Sequence, residues 1–149
     1  MKNFEVIPLQ GVLPVALGMT RGQVHSELGR CTSSFQKTPA SVQPTDAWFN
    51  NSFQVFYAAD ETVKYIELSS NKGFAVSCMG VSVFNTQVTS LIERFEQHAE
   101  VDTSDPEHGF SFIFPSLELS LWRPEIEGRR ALYFSTIGIG RLGCYSNAA

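Results

Sequence analysis

Phe110-Ser111-Phe112-Ile113-Phe114-Pro115-Ser116-Leu117-Glu118-Leu119-Ser120-Leu121-Trp122 decides the fold class. Phe110, Phe112 and Phe114 alternate with Ser111 and Ile113, and Leu117, Leu119 and Leu121 alternate with Glu118, Ser120 and Trp122. A period of two places one set of side chains on one face of a strand. Both runs therefore read as strands with a buried face. Pro115-Ser116 between them reads as a tight turn, which makes the pair antiparallel. The apolar face of such a pair needs a cover. The segment just upstream supplies one: over residues 86–99, Val88, Leu91, Ile92, Phe95 and Ala99 form one helical stripe, with Glu93, Glu96, Gln97 and Glu100 off it.

The same two patterns recur toward the N-terminus. Thr20 and Gln23 have capping-box spacing, and Gly29 suits a left-handed helix exit, so a short helix with Val24 and Leu28 inward is expected between them. Phe53–Tyr57 and Val63–Leu68, around Ala58-Ala59-Asp60-Glu61, read as a hairpin. Residues 4–17, with Pro8, Gly11 and Pro14, read as extended segments broken by turns. Phe74 to Val83 reads as one strand or two short ones, and residues 32–47, rich in Ser, Thr, Pro and Gln, as a long loop. Downstream, Pro124–Gly128 links to a third strand over Ala131–Ile137, and the glycine-rich tail from Gly138 to Gly143 is expected to be irregular. The fold class is α+β, an antiparallel sheet with helices on one face. The 149 residues suit a single compact unit that buries roughly two-thirds of its unfolded surface. Gln23-Val24-x-Ser26 aligns with Gln87-Val88-x-Ser90, which suggests a tandem helix-plus-sheet duplication with halves 1–70 and 71–149.

Charge and cysteines narrow the function. A net charge of −4 opposes binding to phosphate backbones, which needs a Lys/Arg excess, so no nucleic-acid partner is expected. No apolar run approaches the ~18 residues of a membrane span. Met1-Lys2-Asn3-Phe4-Glu5 lacks the apolar core of a secretory signal, which points to the cytoplasm. Cys31, Cys78 and Cys144 are odd in number and widely spaced, as expected of free thiols, and they form no CxxC or Cys/His cluster for zinc. No metal or cofactor is expected. The oligomeric state is open.

Three arrangements carry chemistry on paper. Gly138-Ile139-Gly140-Arg141-Leu142-Gly143 matches GxGxxG, but a dinucleotide loop needs a helix after it and an acid about 20 residues on, so a glycine-bearing turn is the better reading. Cys31 and His25 lie six residues apart, the ingredients of a nucleophile and its base. Cys31 follows a helix C-terminus, though, where the dipole disfavours a thiolate. Carboxylate pairs such as Glu93 with Glu96, or Asp102 with Asp105, sit in polar surroundings and are expected to be solvated. No catalytic set stands out. The most informative local feature is acidic. Glu93, Glu96, Glu100, Asp102, Asp105 and Glu107 face one base, Arg94, for a net −5. That segment either keeps the protein soluble or docks a basic partner. Trp48, with Phe49, and Trp122 with Arg123 read either as interface anchors or as core packing at strand junctions.

Leu17-Gly18-Met19-Thr20, Gln23-Val24 and Leu28-Gly29 resemble the signature of the small helix–sheet domain of outer-membrane assembly lipoprotein E and the β-lactamase-inhibitory proteins. The lipoproteins carry a lipid-attachment cysteine behind a signal peptide; neither is expected here, so the resemblance implies the fold and not the membrane role. The inhibitors are tandem repeats of the unit, in line with the alignment of the two halves. Pro8 to Gly11, Gly18 to Gly29, Phe114-Pro115 and Leu119-Ser120-Leu121-Trp122-Arg123-Pro124 resemble a group of bacterial immunity proteins of contact-dependent, polymorphic toxin systems. That resemblance implies a cytoplasmic protein that neutralises a cognate toxin domain by occlusion, with no catalytic residue of its own. The acidic segment would suit a basic nuclease. The alternative is a non-catalytic structural or assembly scaffold of the same fold. A small enzyme using Cys31 and His25 comes third.

Overall fold

The computed structural model describes residues 2–145. Three short strands open the chain: β1 Lys2–Ile7, β2 Gly11–Leu13 and β3 Val15–Ala16. Helix α1 Arg21–Leu28 follows, then a run of antiparallel strands: β4 Ser33–Phe35, β5 Thr45–Trp48, β6 Phe53–Tyr57 and β7 Val63–Ser69. The second half repeats this order. Two strands, β8 Phe74–Cys78 and β9 Val81–Ser82, lead to α2 Val88–Glu96 and then to β10 Ser111–Phe114 and β11 Leu119–Trp122. A two-stranded excursion, β12 Glu125–Ile126 and β13 Arg129–Arg130, precedes the last strand, β14 Thr136–Gly140.

Seven strands form one antiparallel sheet, in the order β10-β11-β14-β7-β6-β5-β4. The strands of each half thus run in sequence order, and the halves meet at their last strands. A five-stranded sheet, β3-β2-β1-β8-β9, is antiparallel except where β1 and β8 run parallel. The protein is α+β, as the alternation implied.

Register fixes what the large sheet buries. Trp48 pairs with Phe53, Phe53 with Leu68, Leu68 with Ile137, Ile137 with Leu121 and Leu121 with Phe112. These side chains share one face, and all are buried. Phe4 of β1 meets Phe53 edge-on at 5.0 Å, and Phe95 of α2 meets Phe114 at 5.7 Å. The small sheet and both helices therefore cover the same face. Burying such aromatic rings dominates core energetics, beyond their geometric preference for edge contacts.

Both helices form for the reasons visible in the chain. In α1 the Thr20 hydroxyl accepts from the Gln23 amide at 3.2 Å, and the Gln23 side chain accepts from the Thr20 amide at 2.9 Å. Gly29 ends it at φ 80°, a conformation that suits glycine. In α2 the stripe Val88, Leu91, Ile92, Phe95 is buried. Its first turn has no side-chain cap. The Leu132 carbonyl accepts from the Val88 amide instead.

Two segments depart from expectation. Residues 32–47 contain β4 and the start of β5, so they are not one loop. Thr45-Asp46-Ala47-Trp48 shows no apolar alternation because all four residues are buried, covered on both faces. The expected strand over Ala131–Ile137 lies later, at Thr136–Gly140, and runs through the tail expected to be irregular. The cause is steric. A Cβ on Gly138 would fall within 2.6 Å of Tyr65 Cζ, and one on Gly140 within 2.6 Å of Cys144 Sγ. The GxG of the tail thus leaves room on the outer face of β14 for the Tyr65 ring and for Cys144.

Candidate functional site

Two places carry functional groups, at opposite ends of the seven-stranded sheet. The first is the side formed by α2, the 100–107 loop and the β12–β13 excursion. Glu93, Glu96, Glu100 and Glu107 are exposed, and no ion pair reaches them among the described residues. Asp102 and Asp105 are half-buried and shape the loop. Asp102 Oδ1 accepts from the Ser104 amide and hydroxyl at 2.9 and 2.6 Å, and these bonds hold its carboxyl below the usual range. Asp105 Oδ1 accepts from the Glu107 amide at 3.0 Å. A cleft of about 660 Å³ opens between this loop and the Pro115-Ser116 turn, with Glu100 and Asp102 in its wall.

The connection that carries the excursion, residues 123–135, is tied to the start of α2 and to Gly109, just after the 100–107 loop. Leu132 bonds the start of α2, and Tyr133 bridges to Gln87. At the other end Arg123 Nε donates to the Gly109 carbonyl at 2.7 Å and Nη1 to the Ala131 carbonyl at 3.0 Å. Arg130 lies over the Phe110 ring, 5.0 Å from its centroid. Trp122, Ile126, Leu132 and Tyr133 make up four of the eight large exposed hydrophobic residues among those described; Trp122 ends β11, on the sheet face opposite Leu121, and the other three lie in the 123–135 connection that carries the excursion. Trp122 is 42% exposed. Sequence reasoning identified Trp122 but missed Ile126, Leu132 and Tyr133; an apolar residue in a Glu/Arg-rich turn was the available signal.

Two expected anchors are placed otherwise. Trp48 is 4% exposed, beneath α1, with its indole nitrogen donating to the Gly29 carbonyl at 3.2 Å. It joins helix to sheet and presents nothing outward. Arg123 uses its guanidinium on two backbone carbonyls, and it also lies over the Phe112 ring at 5.7 Å. It ties down the base of the excursion.

The second place is centred on Asp46, 2% exposed on β5. The Ser34 hydroxyl donates to Oδ1 at 2.9 Å, while Arg21 Nη1 at 2.7 Å and His25 Nε2 at 2.8 Å share Oδ2. A buried carboxylate needs such partners, since an unpaired one costs several kcal/mol. Burial alone would push its carboxyl up. Hydrogen bonds from His25 and Ser34, with the Arg21 charge, outweigh that and hold it below the ordinary value. Arg21 also lies over the Tyr57 ring, 4.0 Å from its centroid. The Tyr57 hydroxyl is buried with no partner at short hydrogen-bond distance among the described residues, and burial, then the charge and longer-range polar contact of Asp46, push its pKa up.

Cys31 completes this cluster. One donor atom each from His25, Cys31 and Asp46 lies within 4.8 Å of the other two. The cysteine and histidine singled out by their spacing are thus brought together, with an aspartate to which no local pattern pointed. A nucleophilic thiol needs surroundings that favour its thiolate. Here burial and then the Asp46 charge push the Cys31 thiol up, against that use. No protein-family model, curated protein or solved structure matches the chain. No described helix is long and apolar enough to cross a membrane.

Proposed function

We propose that this chain is a cytoplasmic inhibitor of the immunity-protein type, which neutralises a toxin domain by covering it, and that the covered domain presents a basic face. The observations behind this reading are two surface features: exposed glutamates with no ion-pair partner among the described residues, and exposed apolar side chains, Ile126, Leu132 and Tyr133, on the 123–135 connection, whose Leu132 carbonyl accepts from the Val88 amide at the start of α2. Protein interfaces combine such elements, with aromatic and apolar anchors at the centre and charge at the rim. The acids accelerate encounter with a basic partner and the apolar groups slow release. The three free cysteines fit a reducing compartment. The resemblance of Pro8 to Gly11, Gly18 to Gly29, Phe114-Pro115 and Leu119 to Pro124 to toxin-immunity proteins supports the same reading.

The test expresses the variable C-terminal domain of a large secreted protein, where the neighbouring gene encodes one, and follows growth rescued by the wild type, by Glu93→Lys with Glu96→Lys, or by Trp122→Ala with Ile126→Ala; a neighbouring gene of another kind counts against the reading. All four residues are exposed, so both variants should melt like the wild type. Reversing two charges should slow association at low salt on the order of tenfold or more, an effect that shrinks as added salt brings the Debye length below about 10 Å. Full rescue by both folded variants would place the partner elsewhere.

A further inference from the structure

The Asp46 cluster lies five strand positions from β10, roughly 24 Å at ~4.8 Å per strand, well away from the proposed partner face. We infer that His25, Cys31 and Asp46 form a binding site for a single borderline-soft divalent metal ion of the zinc type.

The donor set selects the metal. An imidazole nitrogen, a thiolate and a carboxylate oxygen suit zinc or cobalt; magnesium and calcium take oxygen donors. Candidate donor atoms within 4.8 Å of one another can converge on one ion through sub-ångström movements, given bonds of about 2.0–2.3 Å.

The fold holds the ligands by separate means. His25 projects from α1, which is fixed to β5 by the Trp48–Gly29 bond. Cys31 sits between two tethers to β5. One is that bond, and the other is Thr32, whose amide and hydroxyl both donate to the Ala47 carbonyl, at 2.9 and 3.1 Å. Asp46 is oriented by Ser34. Three protein ligands leave a fourth position for water, as in open zinc sites. The Tyr57 hydroxyl is buried two residues along the face from Val55, which pairs with Asp46, and interacts with the Asp46 carboxylate, so it adds a polar group beside the site.

Arg21 is the competitor. Its guanidinium now neutralises Asp46 at 2.7 Å. A divalent ion bound to one thiolate and one carboxylate is itself neutralised, so Arg21 becomes dispensable there. It has alternatives: Glu61 at 3.6 Å and the Pro44 carbonyl at 3.2 Å. Binding expels the Cys31 thiol proton to solvent and leaves the metal's oxidation state unchanged.

The experiment titrates the reduced, metal-free full chain with Co²⁺, then displaces it with Zn²⁺. The expected result is one Co²⁺ per chain with a thiolate-to-cobalt charge-transfer absorption that Zn²⁺ abolishes. Cys31→Ser should remove that absorption and weaken uptake by more than about tenfold, the lower end of what losing even an outer-sphere partner costs. His25→Ala should weaken uptake likewise, and Cys144→Ser should leave it unchanged. Arg21→Gln should tighten binding, because it removes the competing charge. Absence of the absorption in wild type overturns the site. So does an absorption that survives Cys31→Ser but disappears in Cys144→Ser, or weaker binding in Arg21→Gln.

Discussion

Gly138→Ala tests the steric reading of the C-terminal glycines. Gly138 is buried in β14 with no positive φ, so alanine suits its backbone. At a compatible site Gly→Ala stabilises by about 0.4–1 kcal/mol, by restricting the unfolded chain. Here the new methyl would fall within 2.6 Å of Tyr65 Cζ, with Ser120 Oγ 3.2 Å away. The ring cannot yield freely. The Tyr145 hydroxyl donates to the Tyr65 hydroxyl at 2.8 Å and also bonds Ser120 at 2.9 Å, so moving Tyr65 breaks a three-hydroxyl chain. Overpacking of this kind costs typically 1–3 kcal/mol. For a domain of this size the melting temperature should fall by roughly 2–12 °C. In a Tyr65→Ala background the obstruction is gone, and Gly138→Ala should be neutral or stabilising. Urea unfolding of the four proteins in a double-mutant cycle measures the coupling, expected at about 1.5–4 kcal/mol. A Gly138→Ala cost that persists unchanged in the Tyr65→Ala background would refute the argument.

Phe95→Ala should cost roughly 3–5 kcal/mol, because Phe95 is fully buried against Phe114, and a melting temperature within two degrees of wild type would show the α2 stripe to be misread. Cys78 gives an alkaline signature: burial, then the Glu5 charge, pushes its thiol up to about 12. The folded protein then keeps a proton that the unfolded chain has lost, so this contribution is intact below the ordinary thiol range and is lost as pH rises from there through about 12. Over that interval wild-type stability should fall more steeply than that of Cys78→Ala, by at most about 1.4 kcal/mol per pH unit, and parallel profiles in urea unfolding would contradict it.

Local signals were legible wherever one element's chemistry sufficed. Thr20 with Gln23 specified both bonds of the α1 cap, and the stripe of α2 identified its buried face because a period of 3.6 is set within the helix. The hairpin of β6 and β7 and the alternation in β10 and β11 were readable for the same reason, since one face of each is buried. Among site residues the exposed glutamates could be picked out because helical geometry sends off-stripe positions to water. The β12–β13 excursion could not, because two-residue strands carry no period.

The sequence by itself determined the class of the fold, its two helices and the concentration of negative charge. Each follows from periodicity and composition within about a dozen residues. Tertiary structure decided the rest. Asp46 looks unsuited to a strand interior until Arg21, His25 and Ser34, distant along the chain, arrive to satisfy it. Gly138 looks like a strand-breaker until the Tyr65 ring needs its empty face. Cys31 joins His25 and Asp46 only because α1 packs on β5. In each case the deciding energy is a contact between residues far apart in sequence, which no local pattern encodes.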